Sequence, residues 1–134
     1  MRVLGIAVLA LVLALPAVAA APIAAKLTTS GPRPTVDQPW RYTLTVRSAR
    51  GAPLAAKVKL QLLLGRTVVG CWKGGAMVQC FSPDAGEWIA FRGKRTSVLR
   101  FPAPSVGVAL TFQATVKASG QVRRLRAPVT VQAA

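Results

Sequence analysis

The chain has 134 residues, and its 18 lysines and arginines against 3 acids give a formal net charge of +15. It has no histidine and 2 cysteines, which excludes Ser–His–Asp and Cys–His catalytic arrangements and leaves too few ligands for a zinc site. A charge this far from neutrality attracts polyanions and anionic surfaces but does not specify a fold. We therefore expect a non-enzymatic protein that needs no cofactor and no metal.

The first 20 residues follow the pattern of a secretory signal peptide. A basic start at Arg2 precedes an unbroken apolar run over residues 3–15, and the A-x-A sequence at residues 17–19 is a small-residue cleavage site. A transmembrane anchor is the alternative, but spanning a bilayer takes ~20 apolar residues, and Pro16 interrupts the run early. We expect a cleaved leader over residues 1–20.

The remaining chain has the size of one domain, since domains typically run ~100–150 residues. We divide it into a short polar segment, residues 21–34, and a domain over residues 35–132. The predicted location is extracellular or associated with the cell envelope, and we expect no transmembrane segment after cleavage of the leader.

The first half of the domain alternates between apolar and polar residues with a period of two. Residues 26–35 leave room for a short edge strand. Residues 40–47 (WRYTLTVR) place large apolar side chains at even positions and Arg or Thr at odd ones, which indicates a half-buried strand. In residues 54–64 the even positions, ending at Leu64, face one way, and Lys57 and Lys59 face the other. A helix competes for this segment, but the alternation would place apolar residues all round a helix, so we favour a strand.

The segment CWKGGAMVQC at residues 71–80 predicts a hairpin closed by a disulfide, the default state of two cysteines in an exported chain. A type II′ turn at Gly75-Ala76 would place Cys71 opposite Cys80 in a non-hydrogen-bonded pair, where side chains are closest. A turn at Gly74-Gly75 would leave the two thiols diagonal. We favour the Gly75-Ala76 register because it brings both cysteines together.

The second half continues in the same way. Short strands are expected at residues 67–69, 87–92 and 96–101, with a loop at 82–86 and a turn at 93–95. Residues 107–131 form a hairpin in which alternate residues of both strands are apolar and the turn lies at residues 118–121. Eight or nine short strands with frequent turns predict an all-β, two-sheet antiparallel sandwich.

Several of these segments together resemble bacterial secreted immunoglobulin-like domains, including invasin-like and fibronectin-type-III-like sandwiches. They are the run WRYTLTV at residues 40–46, the turn RGAP at 50–53, AKVKL at 56–60 and LTFQATV at 110–116. The chain departs from antibody-type domains because its cysteines are too close in sequence to bridge two sheets. The resemblance implies an immunoglobulin-like extracellular module without catalytic activity, and it names no ligand.

The positions of the cationic residues suggest a binding role. Arg41, Lys57, Lys59, Arg124 and Arg126 all lie on the outward phase of their strands, almost without acids. Solvated surfaces normally carry both signs, so solubility is one interpretation of this excess and anion binding is the other. Trp72, on the face opposite the disulfide, is an aromatic candidate for stacking against a ligand.

We therefore expect a binding or adhesion module that docks, through a basic face, to an anionic envelope polymer or an acidic protein partner. Nucleic acid ranks lower because export removes the usual ligand. The alternative is a cationic secreted effector acting on anionic membranes. Such effectors usually carry an amphipathic helix, and none is evident after the leader.

Overall fold

The computed structural model describes residues 21–134, so the predicted signal peptide lies outside the described residues. Within this range the chain forms nine β-strands and a 3-10 helical turn. The elements are β1 (Ala24–Thr29), β2 (Trp40–Arg47), β3 (Ala55–Leu64), β4 (Thr67–Lys73), β5 (Ala76–Gln79), β6 (Trp88–Arg92), β7 (Lys94–Leu99), the 3-10 turn (Ala103–Ser105), β8 (Ala109–Ala118) and β9 (Gln121–Thr130). The predicted all-β class is confirmed.

The strands form two antiparallel sheets. The smaller has three strands in the order β1-β2-β7, and the larger has six, in the order β5-β4-β3-β8-β9 with β6 also paired to β3. Strand β6 pairs with residues 55–59 of β3, whereas β4 pairs with residues 61–64 of the same strand. The polar segment at residues 21–34 contributes β1, which pairs along its whole length with β2.

The two sheets enclose one hydrophobic core, built by the alternation that the sequence shows. From the smaller sheet Tyr42, Leu44 and Val46 are buried, and the larger sheet contributes Val58, Leu60, Phe112 and Val116 among others. The Trp40 ring lies 5.1 Å from that of Phe112 and 5.3 Å from that of Phe101, both edge to face, a favourable geometry for aromatic pairs. These contacts join the two sheets.

Residues 55–64 are a strand and not a helix, as predicted, and the pairing of this strand with β8 has no register shift from Lys57 to Leu63. The register with β4 shifts between Leu62 and Leu63. The extra residue is Val69 of β4, because Leu62 pairs with Gly70 and Leu63 with Val68, so the bulge leaves the phase of β3 unchanged. Leu64 therefore keeps the inward phase of Leu62, as predicted, but it is the last residue of the strand and is 51% exposed, whereas Leu63 is buried on the outward side.

The β4–β5 hairpin has the disulfide that was predicted but not the predicted register. Its turn residues are Gly74 and Gly75, with φ of 62° and 82°, so Lys73 pairs with Ala76 and Cys71 with Val78. Positive φ at both central positions defines a type I′ turn, whose twist matches that of the flanking strands. Two adjacent glycines adopt it without strain, which is why the Gly75-Ala76 register is wrong.

Cys80 nevertheless reaches its partner. It lies just beyond β5, diagonal to Cys71, and its N–H donates to the carbonyl of Val69 at 3.2 Å. The Cα atoms of Cys71 and Cys80 are 5.7 Å apart, within the usual range for a disulfide. The predicted bridge between the two cysteines is therefore confirmed.

Gly93 carries the chain from one sheet to the other. It links β6, in the larger sheet, to β7, in the smaller one. Its N–H donates to the Leu54 carbonyl at 2.9 Å, and its carbonyl accepts from the Val46 N–H at 2.8 Å. Its φ is 69°, and a Cβ at this position would lie 2.5 Å from the Cβ of Pro53. Glycine is therefore required here, and the turn is tighter than the three residues (93–95) that the sequence suggested.

Candidate functional site

The outward face of the six-stranded sheet carries a concentration of cationic side chains, which we call the large basic face. Lys57 and Lys59 lie on it because they alternate with the buried residues of β3. Strand β8 places Lys117 directly opposite Lys57 and Thr115 opposite Lys59. The face is defined by residues Lys57, Lys59, Trp88, Arg92, Thr115, Lys117, Arg124 and Arg126.

The pairing of Lys57 with Lys117 is electrostatically unfavourable in the protein alone. Like charges directly opposite each other on neighbouring antiparallel strands are destabilising. In the next row Lys59 and Arg124 flank Thr115 from either side. The sheet thus places two cations in each of two consecutive rows, adjacent in the first and separated by Thr115 in the second. An anion bound across these rows would relieve their mutual repulsion.

The indole ring of Trp88 contacts two of these cations. Its strand, β6, places it directly opposite Lys59, and its side chain is 37% exposed. The Nζ atom of Lys59 lies 4.6 Å from the ring centroid and that of Lys117 lies 4.3 Å from it. Both distances allow a cation–π interaction. The ring therefore holds two ammonium groups close together near the surface, where an anion can reach them.

A buried row of amides supports the same face. Gln61 and Gln113 are 4% and 6% exposed although both point outward from the sheet. The Gln61 amide donates to the carbonyls of Pro83 and Ala85 at 2.9 and 2.8 Å. Gln113 donates to Gln61 Oε1 at 3.4 Å and accepts from Arg126 Nε at 2.9 Å. This chain of hydrogen bonds holds the loop that precedes β6 against the sheet and positions the guanidinium group of Arg126.

None of the nine strands contains an acidic residue. The 3 acids of the chain are Asp37, Asp84 and Glu87, and all lie between strands. Glu87 accepts a hydrogen bond from the N–H of Gly74 at 3.1 Å, and Lys59 donates to the backbone carbonyl of Asp84 at 2.9 Å. The strand-borne cations of the large basic face thus have no acidic neighbour within the sheet.

The structure brings together some of the candidate residues and separates the others. Lys57, Lys59, Arg124 and Arg126 all lie on the large basic face. Arg41 lies on the outward face of the three-stranded sheet, on the opposite side of the molecule. Trp72 is partly buried and packs against the core, because Cys71 points to the outward side with Gln61 and the next residue must point inward. The large basic face therefore excludes Arg41 and Trp72.

Residues that the candidate set lacked are central to this face. Lys117 and Thr115 had the outward phase of the terminal hairpin, so alternation alone could have included them. Trp88 and Arg92 could be placed only by pairing β6 with β3, and no local signal in the sequence specifies that pairing. Nothing in the pattern indicated that Trp88 would meet Lys117, which lies two strands away.

Residues 21–134 include no helix with the length and hydrophobicity needed to span a lipid bilayer. In the same part of the chain no three His, Cys, Asp or Glu side chains are grouped as metal ligands.

The fold and the face together define a two-sheet, all-β protein with a cationic sheet surface. No protein-family model matches the chain, and no curated protein matches it. Among solved structures it is similar to Spo0M, a sporulation control protein from Bacillus subtilis, with a TM-score of 0.48, 9% identity and coverage of 84% of this chain and 50% of that one. It is also similar to a DUF4466 family protein from Parabacteroides merdae, with a TM-score of 0.49, 15% identity and coverage of 83% and 46%. The chain thus spans about half the length of each structure.

Proposed function

We propose that this protein is a non-catalytic, immunoglobulin-like binding module of the cell envelope that docks to an acidic polysaccharide through the large basic face. The observation that carries the proposal is the row in which Lys57 faces Lys117 beside a tryptophan that holds two ammonium groups. Such a like-charge arrangement costs stability in the free protein. Local rules of this kind are most often broken where a protein binds or reacts.

An acidic polysaccharide fits the chemistry of the face. Its carboxylates would meet the ammonium and guanidinium groups, and charge-assisted hydrogen bonds of this kind are stronger than neutral ones. Its hydroxyl groups would meet Thr115, which can both donate and accept. The disulfide supports an extracellular setting, since such bonds persist in oxidising compartments.

The alternative, an effector that disturbs anionic membranes, has less support. Cationic proteins of that kind commonly insert the apolar side of an amphipathic helix into the bilayer. Within residues 21–134 helical structure is confined to the 3-10 turn Ala103–Ser105, which has no buried residue. The paired strands of the larger sheet instead offer a continuous surface on which a polymer can lie, which supports the binding role.

The test is a comparison of two variants that change net charge equally. Lys57→Glu combined with Lys59→Glu reverses the large basic face, and Arg33→Glu combined with Arg50→Glu reverses two arginines outside the strands. Affinity for polygalacturonate, a linear polymer of carboxylated sugars, would be measured by calorimetry from low to high salt, with neutral dextran as the polymer control.

We expect the wild type to bind polygalacturonate with an affinity that falls steeply with salt, because exposed charges more than ~10 Å apart are largely screened at 0.1 M. The face variant should lose most of this binding, and the loop variant should keep it. If the wild type and the face variant bound equally at all salt concentrations, the excess charge would contribute to solubility and not to binding.

A further inference from the structure

The outward face of the three-stranded sheet forms a second regular surface, which we call the small basic face. Its first row runs Thr28–Thr43–Thr96 across the three strands, and its second runs Lys26–Thr45–Lys94. Neighbouring strands in a sheet lie about 4.8 Å apart, so each row presents its groups at a regular spacing. The hydroxyls of Thr43 and Thr96 are within 3.1 Å of each other.

Cations surround these hydroxyls. Arg41 and Arg47 occupy the two ends of β2 on this face and, like Lys26 and Lys94, are exposed. A shallow depression beside Arg41 is lined by Thr28, Thr29, Ser30 and Thr43. Hydroxyl groups can donate and accept, whereas lysine and arginine only donate. The surface therefore offers separate partners for the hydroxyls and the carboxylates of an acidic sugar.

The two basic faces are electrostatically separate. They are the outward surfaces of two sheets packed over one core, and packed sheets lie ~10 Å apart before the outward side chains are added. The Debye length at physiological ionic strength is only ~8 Å. A polymer bound to one face therefore leaves the charge of the other face available.

We infer that the small basic face is a second binding surface for an acidic polysaccharide, so that one molecule bridges two polymer chains. This inference rests on the proposed function for the ligand class, and it adds a second site and a cross-linking activity. Two faces that point in opposite directions cannot both engage one straight polymer segment. They can hold two polymers together, as a bivalent linker does.

The experiment measures bridging and binding separately with polygalacturonate as the probe. Static light scattering of protein and polymer mixtures reports bridging, and calorimetry with short polygalacturonate fragments reports the number of sites. The small-face variant combines Lys26→Glu with Lys94→Glu, and the milder Lys26→Gln with Lys94→Gln removes the charge without reversing it. The large-face variant (Lys57→Glu with Lys59→Glu) and the loop variant with Arg33→Glu and Arg50→Glu complete the set.

We expect the wild type to bind two fragments and to raise the scattering of the polymer. Each single-face variant should bind one fragment and lose the added scattering, and the loop variant should behave as the wild type. If both small-face variants scattered as much light with the polymer as the wild type does, the second surface would be overturned and the proposed function would remain intact. If the loop variant lost as much scattering as the small-face variants, bridging would depend on net charge alone, and the second surface would also be overturned. Unchanged fragment binding by the large-face variant would instead contradict the proposed function.

Discussion

Phe112 is the side chain whose removal tests the packing of the two sheets most sharply. It is fully buried, and its ring lies 5.1 Å from that of Trp40 and 5.5 Å from that of Tyr42, both in the other sheet. Burial of one such side chain contributes ~1.5–3 kcal/mol, and each aromatic pair adds ~0.5–1.5 kcal/mol. We therefore expect Phe112→Ala to lower the free energy of unfolding by ~3–5 kcal/mol, the range for large-to-small core substitutions.

The assay is thermal unfolding of residues 21–134 followed by circular dichroism. At about 4 °C per kcal/mol for a domain of this size, Phe112→Ala should lower Tm by roughly 12–20 °C. Thr111→Ala is the matched control, because Thr111 is the preceding residue of the same strand and is only partly buried. It should change the free energy of unfolding by less than ~0.5 kcal/mol. Equal effects of the two substitutions would refute the placement of Phe112 between the sheets.

Three further predictions address the sheet crossover, the hairpin turn and the mode of action. Gly93→Ala combines a positive φ with a clash against Pro53 and should lower the free energy of unfolding by more than ~2 kcal/mol. Gly51→Ala has open space around it and should cost only ~1 kcal/mol of backbone strain, so equal values of Tm for the two variants would contradict the crossover. Gly74→Asn should leave Tm unchanged, because Asn-Gly suits a type I′ turn, and Gly74→Val should lower it; the reverse order would contradict the turn. Vesicles rich in anionic lipid should retain an entrapped dye when the protein is added, and rapid leakage would favour a membrane effector.

Alternation along each strand made much of the fold predictable. A period of two assigns every residue of a strand to one face, so the buried positions of β2 and the outward positions of Lys57 and Lys59 followed from sequence alone. The same rule assigns a face but not a degree of burial: Leu64 has the inward phase, yet it ends β3 and is 51% exposed. The rule also failed to fix the β4–β5 register, where two turns were compatible with the glycines.

Strand partners were much harder to predict than strand faces. Arg41 and Lys57 share the outward phase, yet they lie on different sheets because β2 pairs with β1 and β7. That pairing depends on the crossover at Gly93, whose backbone is hydrogen-bonded to Val46 and Leu54, residues distant from it in sequence. The meeting of Trp88 with Lys117 depends on pairings on both sides of β3. The candidate site could therefore be predicted as a set of outward cations but not as a particular surface.

Binding of an acidic polysaccharide to the two basic faces can be tested by mapping where the polymer contacts the folded protein. Backbone and indole N–H chemical shifts of residues 21–134 would be recorded by NMR during titration with short polygalacturonate fragments. We expect the first shifts at Lys59, Lys117 and the Trp88 indole, and a second set around Thr43 on the small basic face. Shifts confined to the loops between strands, or none at fragment concentrations that saturate binding, would contradict binding at these faces.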